Sequence, residues 1–358
     1  MSVFNFFAAL ALMWLLWMVT VRRGSKKLTC HRSFSHITVF EGERGELIEV
    51  VRNDSPYIIP WLRVESYISP NLHLDEQENM YVGGETFHRS CFTLMPYQQI
   101  RRRHRLTFTR RGVYDLGNAS LSCGILLGTY RYWNEQSLST SVVVYPRILE
   151  NEELPYPLSQ MMGQIITRNR LLTDPFLVRG IRPYQPGDLI RDIHWAATAR
   201  TEELQVRVHD STACSQLLVV LNAQRFDKQW DNYIKDEDVE DVEAELRLAA
   251  SVCFHGLQAG LSVGFATNLP QKHQGESTVI APAMGSNWQE TILEGIARLQ
   301  LHCSERFIPL LDSLDHYTGT DILILSPYDS DSIQESIRKL RSKGNQVTFY
   351  RTEGGQVQ

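Results

Sequence analysis

The chain has 358 residues, a formal net charge of -5 and an apolar fraction of 43%. This length and composition are those of a globular protein with a sizeable core, long enough for two ordinary domains. The mildly acidic charge gives no support to bulk binding of nucleic acid, and the six cysteines lack metal-ligand or redox spacing.

The N-terminal segment 3–21 is almost wholly apolar, with Asn5 and Thr20 as its clearly polar residues. In a helix, its roughly 19 residues would cover about 28 Å, close to the hydrocarbon thickness of a bilayer. No basic residue precedes the run, unlike in a cleaved secretory signal, whereas Arg22 and Arg23 follow it at once. We therefore expect a single-pass anchor in the cell membrane and, by the positive-inside rule, a cytoplasmic body.

The next segment has the pattern of an all-β domain. Short strand-like runs such as 46–51 and 61–66 are separated by turn residues. Strands of this length with turns at about every tenth residue predict a small β-sandwich. Residues 146–173 are predicted to be a connector, because the prolines of the run 154–157 disfavour both regular helix and central strand.

From residue 216 onward, apolar strand-like runs alternate with helical patterns. The strand runs are 216–221, 261–266, 321–325 and 346–350, and the helical patterns are 239–259, 288–301 and 331–342. This alternation predicts parallel strands with helices on both faces, an α/β Rossmann-like domain. The predicted fold is thus α+β multidomain, with an anchor and basic flank at 1–27, a β-sandwich at 28–147, a linker and signature segment at 148–210, and the α/β domain at 211–358.

The densest group of polar residues lies in the segment 179–201, before the α/β domain. Gln185 to Asp188 has the type II turn pattern, with Pro second and Gly third, and Asp188 then stands at a plausible helix start. Trp195 supplies a large apolar anchor beside these residues. Five charged side chains of this segment can neutralise one another: Arg182, Arg191, Arg200, Asp188 and Asp192.

This segment resembles the signature of the bacterial family called domain of unknown function 58. In that family a run Y-x-x-G-D-x-x-R-x-I-x-W-x-x-x-A-R precedes an α/β domain similar to the von Willebrand factor A fold. The residues that match it are Tyr184, Gly187, Asp188, Arg191, Ile193, Trp195, Ala199 and Arg200. The resemblance implies N-terminal membrane helices, a β-sandwich and an association with AAA+ ATPases of the MoxR class. This chain departs from the family at Ala196, where a lysine is common.

A metal site of the von Willebrand type needs the pattern D-x-S-x-S after the first strand of the α/β domain. Here Asn222 replaces the aspartate, both serines are absent and Arg225 adds a positive charge. We therefore expect neither a metal nor a cofactor, and instead a metal-free face at the strand ends that binds a partner. The residues expected on this face are Asn222, Gln224, Thr267 and Asp329.

Catalysis receives little support from the sequence. A histidine close to an aspartate, here His194 and Asp188, is a combination that general acid–base catalysis uses. The sequence, however, has no serine, threonine or cysteine in a nucleophile-elbow motif. Arginine–carboxylate clusters are more often structural networks than catalytic sites, so we predict no catalytic residues.

We therefore expect a non-enzymatic, membrane-anchored adaptor or scaffold that binds proteins and no nucleic acid. The resemblance implies a MoxR-type AAA+ ATPase as the partner. The signature residues expected to take part are Arg182, Tyr184, Gly187, Asp188, Arg191, Trp195 and Arg200. Two alternatives stay open: a metal-dependent ligand-binding protein and an envelope-associated hydrolase.

Two charged runs lie outside these sites. The basic run 101–105 is either a surface for anionic lipid or the solvated side of strands. The acidic run 236–245 complements a helix N-terminus, and its remaining charge is either a docking surface for a basic partner or a solvated face.

Overall fold

We describe the fold from a computed structural model of the chain. The structure describes residues 6–9, 12, 14, 22–75, 80–83, 87–124, 130–137, 140–172, 178–185, 188, 190–209, 215–227, 229, 232–272, 275–285 and 287–352. The chain forms two compact units, Met1–Arg147 and Ile148–Gln358. The four segment bounds given above stay predictions.

The predicted transmembrane helix is not supported. Within the described residues, no helix is long and apolar enough to cross a bilayer. A spanning helix needs about 20 predominantly apolar residues. The single-pass anchor, the cell-membrane localisation and the fold class that includes them are therefore wrong on this finding. The rest of the apolar segment lies outside the described residues.

The first unit is built from strands. They are β1 (Leu28–Phe34), β2 (Thr38–Phe40), β3 (Arg44–Asn53), β4 (Ile59–Tyr67), β5 (Leu72–Leu74), β6 (Met80–Gly83), β7 (Phe87–Leu94), β8 (Gln99–Phe108), β9 (Gly112–Asp115), β10 (Asn118–Gly124), β11 (Tyr130–Ser137) and β12 (Ser141–Tyr145). Two large sheets have the orders β1-β3-β8-β5 and β11-β10-β4-β7-β6, and a small third sheet has the order β2-β12-β9. All pairs within the two large sheets are antiparallel.

The core of this unit lies between the two large sheets. Val51 of β3 packs in one buried cluster with Leu62 of β4, Leu94 of β7 and Leu121 of β10. Because these side chains come from both sheets, the sheets pack face to face in the arrangement of a β-sandwich. Strand alternation explains the pattern, since every second residue of each strand faces the core.

Polar side chains also lie inside the sandwich, and we call this group the sandwich cluster. Its members, all buried, are Arg32, Glu49, Ser66, His88, Ser90 and His104. Nε of Arg32 donates to Oε1 of Glu49 at 2.8 Å, and its guanidinium also donates to Ser66 Oγ. Nη2 of Arg32 lies 3.1 Å from Nδ1 of His88, and Nε2 of His104 lies 3.4 Å from Oε2 of Glu49. Buried charges are tolerated only when they are paired in this way.

Burial and charge set the protonation of the cluster. Burial acts to raise the pKa of Glu49, but the hydrogen bond with His104 and the charge of Arg32 outweigh it and lower the pKa to about 2. Burial, followed by the charge of Arg32, lowers the pKa of His88 to about 3. At neutral pH the cluster therefore holds a charged Arg32–Glu49 pair beside a neutral His88.

The second unit alternates helices and strands. Its elements are α1 (Tyr156–Leu172), β13 (Val178–Pro183), α2 (Trp195–Thr201), β14 (Gln205–His209), β15 (Gln216–Leu221), α3 (Val239–Gln258), β16 (Ser262–Pro270), β17 (Ser277–Ala283), α4 (Trp288–Ala297), α5 (Phe307–Ser313), β18 (Asp321–Ser326), α6 (Asp331–Ser342) and β19 (Gln346–Arg351). Its main sheet has the order β17-β16-β15-β18-β19. The strands β16, β15, β18 and β19 are parallel, and β17 is an antiparallel edge strand.

Helices cover both faces of this sheet, in agreement with the alternation in the sequence. On one face, Leu218 and Val220 of β15 pack in a buried cluster with residues of α5 and α6. On the other face, α3 approaches so closely that a Cβ atom placed on Gly256 would lie 3.0 Å from Cγ2 of Val263 and 3.3 Å from Cδ2 of Leu217. Parallel sheets are normally buried on both sides, which explains the apolar runs 217–221 and 322–325 of the central strands β15 and β18.

Some predicted elements differ from the structure. Residues 156–172 form helix α1, where a connector was predicted, because a proline in the first helical turn removes no intrahelical hydrogen bond. Leu158, Met162 and Ile165, at helical spacing, are buried. The β13–β14 hairpin and the edge strand β17 were not predicted, and α4 ends earlier than expected, at Ala297.

The sandwich cluster predicts a specific dependence of stability on pH. The folded-state pKa of His88 is lowered from its ordinary 6.5, so below pH 6.5 the unfolded chain binds the proton more readily and the free energy of unfolding falls. One such group contributes at most about 1.4 kcal/mol per pH unit. Glu49 adds a further loss as the pH falls from 4.5 towards 2.

We expect His88→Asn to flatten the dependence between pH 6.5 and pH 4.5 relative to the unsubstituted chain. The measurement is urea unfolding at several pH values in this range. His73→Asn is the matched control, because His73 is exposed on β5 of the same unit. An equal slope in the His88 variant and in the unsubstituted chain would contradict the prediction.

Candidate functional site

The signature segment folds into an antiparallel hairpin, which we call the signature arm (residues 178–209). Strands β13 and β14 pair along it, with Arg182 opposite Val206 and Gly180 opposite Val208. Between the strands lie a 3-10 turn at Ile190–Asp192 and helix α2. Gly187 and the side chain of Arg191 are outside the part of the chain that the structure describes.

A bidentate ion pair closes the first loop of the arm. Nη1 and Nη2 of Arg182 each donate to a carboxylate oxygen of Asp188 at 2.7 Å. The backbone N–H of Gln185 also donates to Asp188 at 2.8 Å, and the N–H of Asp188 donates to the carbonyl of Gln185 at 3.0 Å. Two hydrogen bonds hold the pKa of Asp188 below its ordinary value. The larger effect comes from Arg182 and the smaller from the backbone of Gln185. The structure thus joins two of the predicted signature residues, and Asp188 links the end of β13 to the backbone of Gln185.

His194 has a structural position in the arm. Its ring atom Nδ1 accepts from the backbone N–H of Ala197 at 3.0 Å, and this contact caps the N-terminus of α2. The backbone N–H of His194 donates to the carbonyl of Gln205 at 2.7 Å. A side-chain acceptor at this position satisfies an N–H that the helix itself leaves unpaired. The helix therefore starts at Trp195, several residues after the start that we predicted at Asp188.

The arm exposes several large apolar side chains. Ile190 is 76% exposed and Trp195 is 64% exposed, although the sequence suggested that Trp195 would be an anchor beside the charged residues. Ile181, Tyr184 and Leu204 are also exposed. Helix α2 buries no residue at all, and Arg200 is exposed in its last turn. Large apolar side chains exposed together on one element are unusual in a soluble domain and typify binding surfaces.

The predicted face at the strand ends is mostly buried. Asn222, directly after β15, is 0% exposed and Gln224 is 4% exposed. Nδ2 of Asn222 donates to Ser326 Oγ at 3.0 Å, and its Oδ1 accepts from the N–H of Gln224 at 3.0 Å. Oε1 of Gln224 accepts from the N–H of Phe307, the first residue of α5, at 2.7 Å. Both amides therefore join β15 to its neighbours within the unit.

The other two residues of that face differ from each other. Thr267 is 0% exposed within β16, and its Oγ1 accepts from the N–H of Leu269 at 3.4 Å. Asp329 is exposed, and both of its carboxylate oxygens accept from Nε2 of Gln334 at 2.9 Å. A partner at the strand ends can therefore reach Asp329, whereas Asn222, Gln224 and Thr267 are covered.

Arg225 lies among carboxylates at the same end of the sheet. Its Nη1 is 2.9 Å from both carboxylate oxygens of Glu245, its Nη2 is 3.6 Å from Asp241, and its Nε is 3.8 Å from Asp238. Glu245 also accepts from Oγ1 of Thr352 at 2.6 Å. Burial raises the pKa of Glu245, although the charge of Arg225 acts against this. One guanidinium group thus pairs with Glu245 and lies within 4 Å of two further carboxylates.

The grouping of Arg225 with these carboxylates was not predicted from the sequence. The acidic run 236–245 was instead interpreted as a docking surface or a solvated face. The available signal was the spacing of Asp238, Asp241 and Glu245, which places three carboxylates on one side of α3. Among the described residues, no group of three or more His, Cys, Asp or Glu side chains has the geometry to hold a metal ion.

Comparison with known proteins bears on the signature segment. Residues 180–302 match the family model described as Protein of unknown function DUF58. This match supports the family resemblance. The matched region starts within the signature arm and continues through α4. No curated protein matches the chain.

Solved structures give weak matches over about a third of the chain. A Salmonella alpha-2-macroglobulin mutant is 12% identical with a TM-score of 0.28, and the match covers 33% of this chain and 9% of that one. The CARDB domain of a Pyrococcus furiosus protein in complex with di-metal ions is 16% identical with a TM-score of 0.22, over 33% of this chain and 93% of that one. The bacterial hydrophobin BslA is 10% identical with a TM-score of 0.23, over 34% and 97%. These scores are too low to establish a shared fold.

Removal of the Arg225 charge is expected to destabilise the α/β unit. Arg225→Met keeps the apolar stem but leaves the buried carboxylate of Glu245 without its charged partner, which costs about 3–5 kcal/mol for a buried pair. The measurement is the free energy of unfolding in urea.

Arg298→Met is the matched control for this variant. Its pair with Glu294 is exposed and spaced i,i+4 at the C-terminal end of α4, so the expected loss is below about 1 kcal/mol. Similar losses in the two variants would show that the Arg225 cluster contributes no more than a surface pair.

Divalent metal is expected to leave the stability of the chain unchanged. A cation that binds the folded state raises its melting temperature, and the shift grows with concentration. Arg225 already places a positive charge among the carboxylates around it, and no cluster of acidic side chains among the described residues has the geometry to hold a metal ion. Millimolar Mg²⁺ or Mn²⁺ should therefore give no such shift in thermal unfolding. A concentration-dependent rise would instead favour the metal-dependent alternative.

Proposed function

We propose that this chain is a non-enzymatic adaptor that binds a protein partner through the signature arm. The observation that carries the proposal is the group of exposed apolar and aromatic side chains on the arm, with Ile190 and Trp195 the most exposed. Protein interfaces concentrate their binding energy in large aromatic side chains of this kind, surrounded by polar groups.

The internal contacts of the arm support the same role. The Arg182–Asp188 pair and the capping contact of His194 order the backbone that presents Trp195. An arm ordered before binding loses less conformational entropy when a partner docks, and this improves affinity. Under this proposal the charged signature residues shape the arm, and the apolar side chains contact the partner.

We propose an AAA+ ATPase of the MoxR class as the partner. The resemblance to the domain of unknown function 58 family implies this association, and the family match over residues 180–302 includes most of the arm. We also propose that the α/β unit is von Willebrand factor A-like, because it combines a mainly parallel sheet with helices on both faces.

The non-enzymatic, metal-free character of the proposal rests on the strand ends. The place of the metal-binding aspartate is held by Asn222, whose side chain bonds to Ser326 and Gln224. Arg225 places a positive charge among Asp238, Asp241 and Glu245, which disfavours a cation there. We therefore place partner binding on the arm, with exposed Asp329 as the residue of the strand-end face that a partner could also touch.

The test is binding of the purified full chain to a MoxR-type ATPase of the same organism, loaded with ATP or with ADP. The combined change Ile190→Ser and Trp195→Ala should weaken binding about tenfold or more, because it removes the most exposed apolar side chains of the arm. Its melting temperature should stay unchanged, since helix α2 buries no residue.

Phe226→Ala is the matched control. Phe226 is a similarly exposed aromatic residue of the same unit, near the strand ends. Weaker binding in the Phe226 variant together with full binding in the arm variant would move the partner site to the strand ends. Failure of the unsubstituted chain to bind in either nucleotide state would reject the ATPase as partner.

A further inference from the structure

The outer face of the β1-β3-β8-β5 sheet carries a group of arginines. On β8 the residues Arg101, Arg103 and Arg105 alternate with inward-facing residues, so all three project from the same side. Their neighbours on β3 are Val50, Ile48 and Glu46. The basic run 101–105 is therefore divided between two faces of the sheet.

The inward residues of the run have their own partners. Arg102 lies over the ring of Phe92, with 4.1 Å between its guanidinium carbon and the ring centroid, and His104 belongs to the sandwich cluster. The three outward arginines are accordingly the ones that the solvent reaches, and all three are exposed.

We call the outward surface the basic face, formed by Arg44, Glu46, Ile48, Val50, Arg52, Arg101, Arg103 and Arg105. This surface thus has five positive side chains and one negative side chain on β3 and β8, and the exposed Asp75 follows β5 beside Arg105, in a protein whose total charge is -5. Nη1 of Arg103 lies 3.8 Å from Glu46, and Nε of Arg52 lies 2.6 Å from Asp54. Both contacts are at the surface, where such pairs are weak, and the positive side chains of this face outnumber the negative ones.

The middle of the basic face is apolar. Ile48 and Val50 are half-buried and lie between the arginines of β8 and the exposed Arg44 and Arg52 at the two ends of β3. An apolar centre with an arginine rim is the composition of a protein–protein contact surface. The outward positions of these four strands carry no Phe, Tyr or Trp, whereas proteins that bind single-stranded nucleic acid use aromatic rings to stack on bases.

We infer that the basic face binds an acidic segment of a partner protein, in which carboxylates flank an apolar side chain. The guanidinium groups donate paired hydrogen bonds to the carboxylates, which is the strongest form of this contact. The apolar side chain of the segment covers Ile48 and Val50. This surface belongs to the first unit of the chain, whereas the signature arm belongs to the second.

The test measures binding of the full chain to fluorescent poly-L-glutamate and to a copolymer of glutamate and leucine. The copolymer should bind more tightly than poly-L-glutamate. The combined change Arg101→Gln, Arg103→Gln and Arg105→Gln should weaken copolymer binding about tenfold or more, because charge-assisted contacts are lost. Ile48→Thr should remove the advantage of the copolymer while poly-L-glutamate binding is kept.

The matched control removes three positive charges elsewhere, with Arg338→Gln, Lys339→Gln and Lys343→Gln on and after α6, all exposed. It should bind the copolymer like the unsubstituted chain. Equal weakening in both triple variants, or no binding of either polymer, would overturn the inference. Tighter, arginine-dependent binding to duplex DNA or to vesicles of phosphatidylglycerol would also overturn it, in favour of those partners.

Discussion

The bidentate pair between Arg182 and Asp188 is the contact on which the proposed function depends. The two hydrogen bonds of 2.7 Å close the loop between β13 and the 3-10 turn, and the same carboxylate accepts from the backbone of Gln185. The arm beyond this loop is short, and its helix buries no residue. Its order therefore comes from local polar contacts and strand pairing, since it has little apolar core. Such an arm can leave Trp195 exposed, because the tryptophan is not needed to hold it together.

A guanidinium–carboxylate pair also lies in the interior of each unit. Within the sandwich cluster, Arg32 balances the buried carboxylate of Glu49. At the strand ends of the α/β unit, Arg225 pairs with the buried carboxylate of Glu245, and the nearby amides are engaged in internal hydrogen bonds. In both arrangements the charged side chains are withdrawn from water. Loss of one partner would leave the other as an uncompensated buried charge and would destabilise the unit. They also leave the exposed side chains of the arm and of the basic face as the main candidates for contacts with other molecules.

The sequence predicted the parts of the fold that depend on local pattern. The parallel strands and α3 and α6 follow from apolar periodicity, and the strand runs of the first unit from alternation. Helix α1 was missed because the rule on proline was applied without regard to its position in the first turn. The signature residues were found by their resemblance to a family, yet the exposure of Trp195 could not be predicted, because burial depends on what the rest of the chain covers. The pairing of Arg32 with Glu49 and His88 joins residues far apart in sequence, which no local pattern encodes. The apolar N-terminal segment met the length rule for a membrane span, but composition alone did not establish the helix.

Hydrogen exchange of the full chain, with and without a MoxR-type ATPase, tests the central claim most directly. The partner should slow exchange of the backbone amides in the signature arm, above all around Trp195, while the strand-end residues near Asn222 exchange as before. Protection confined to the strand ends, or no protection of the arm under conditions where the ATPase binds, would contradict the account.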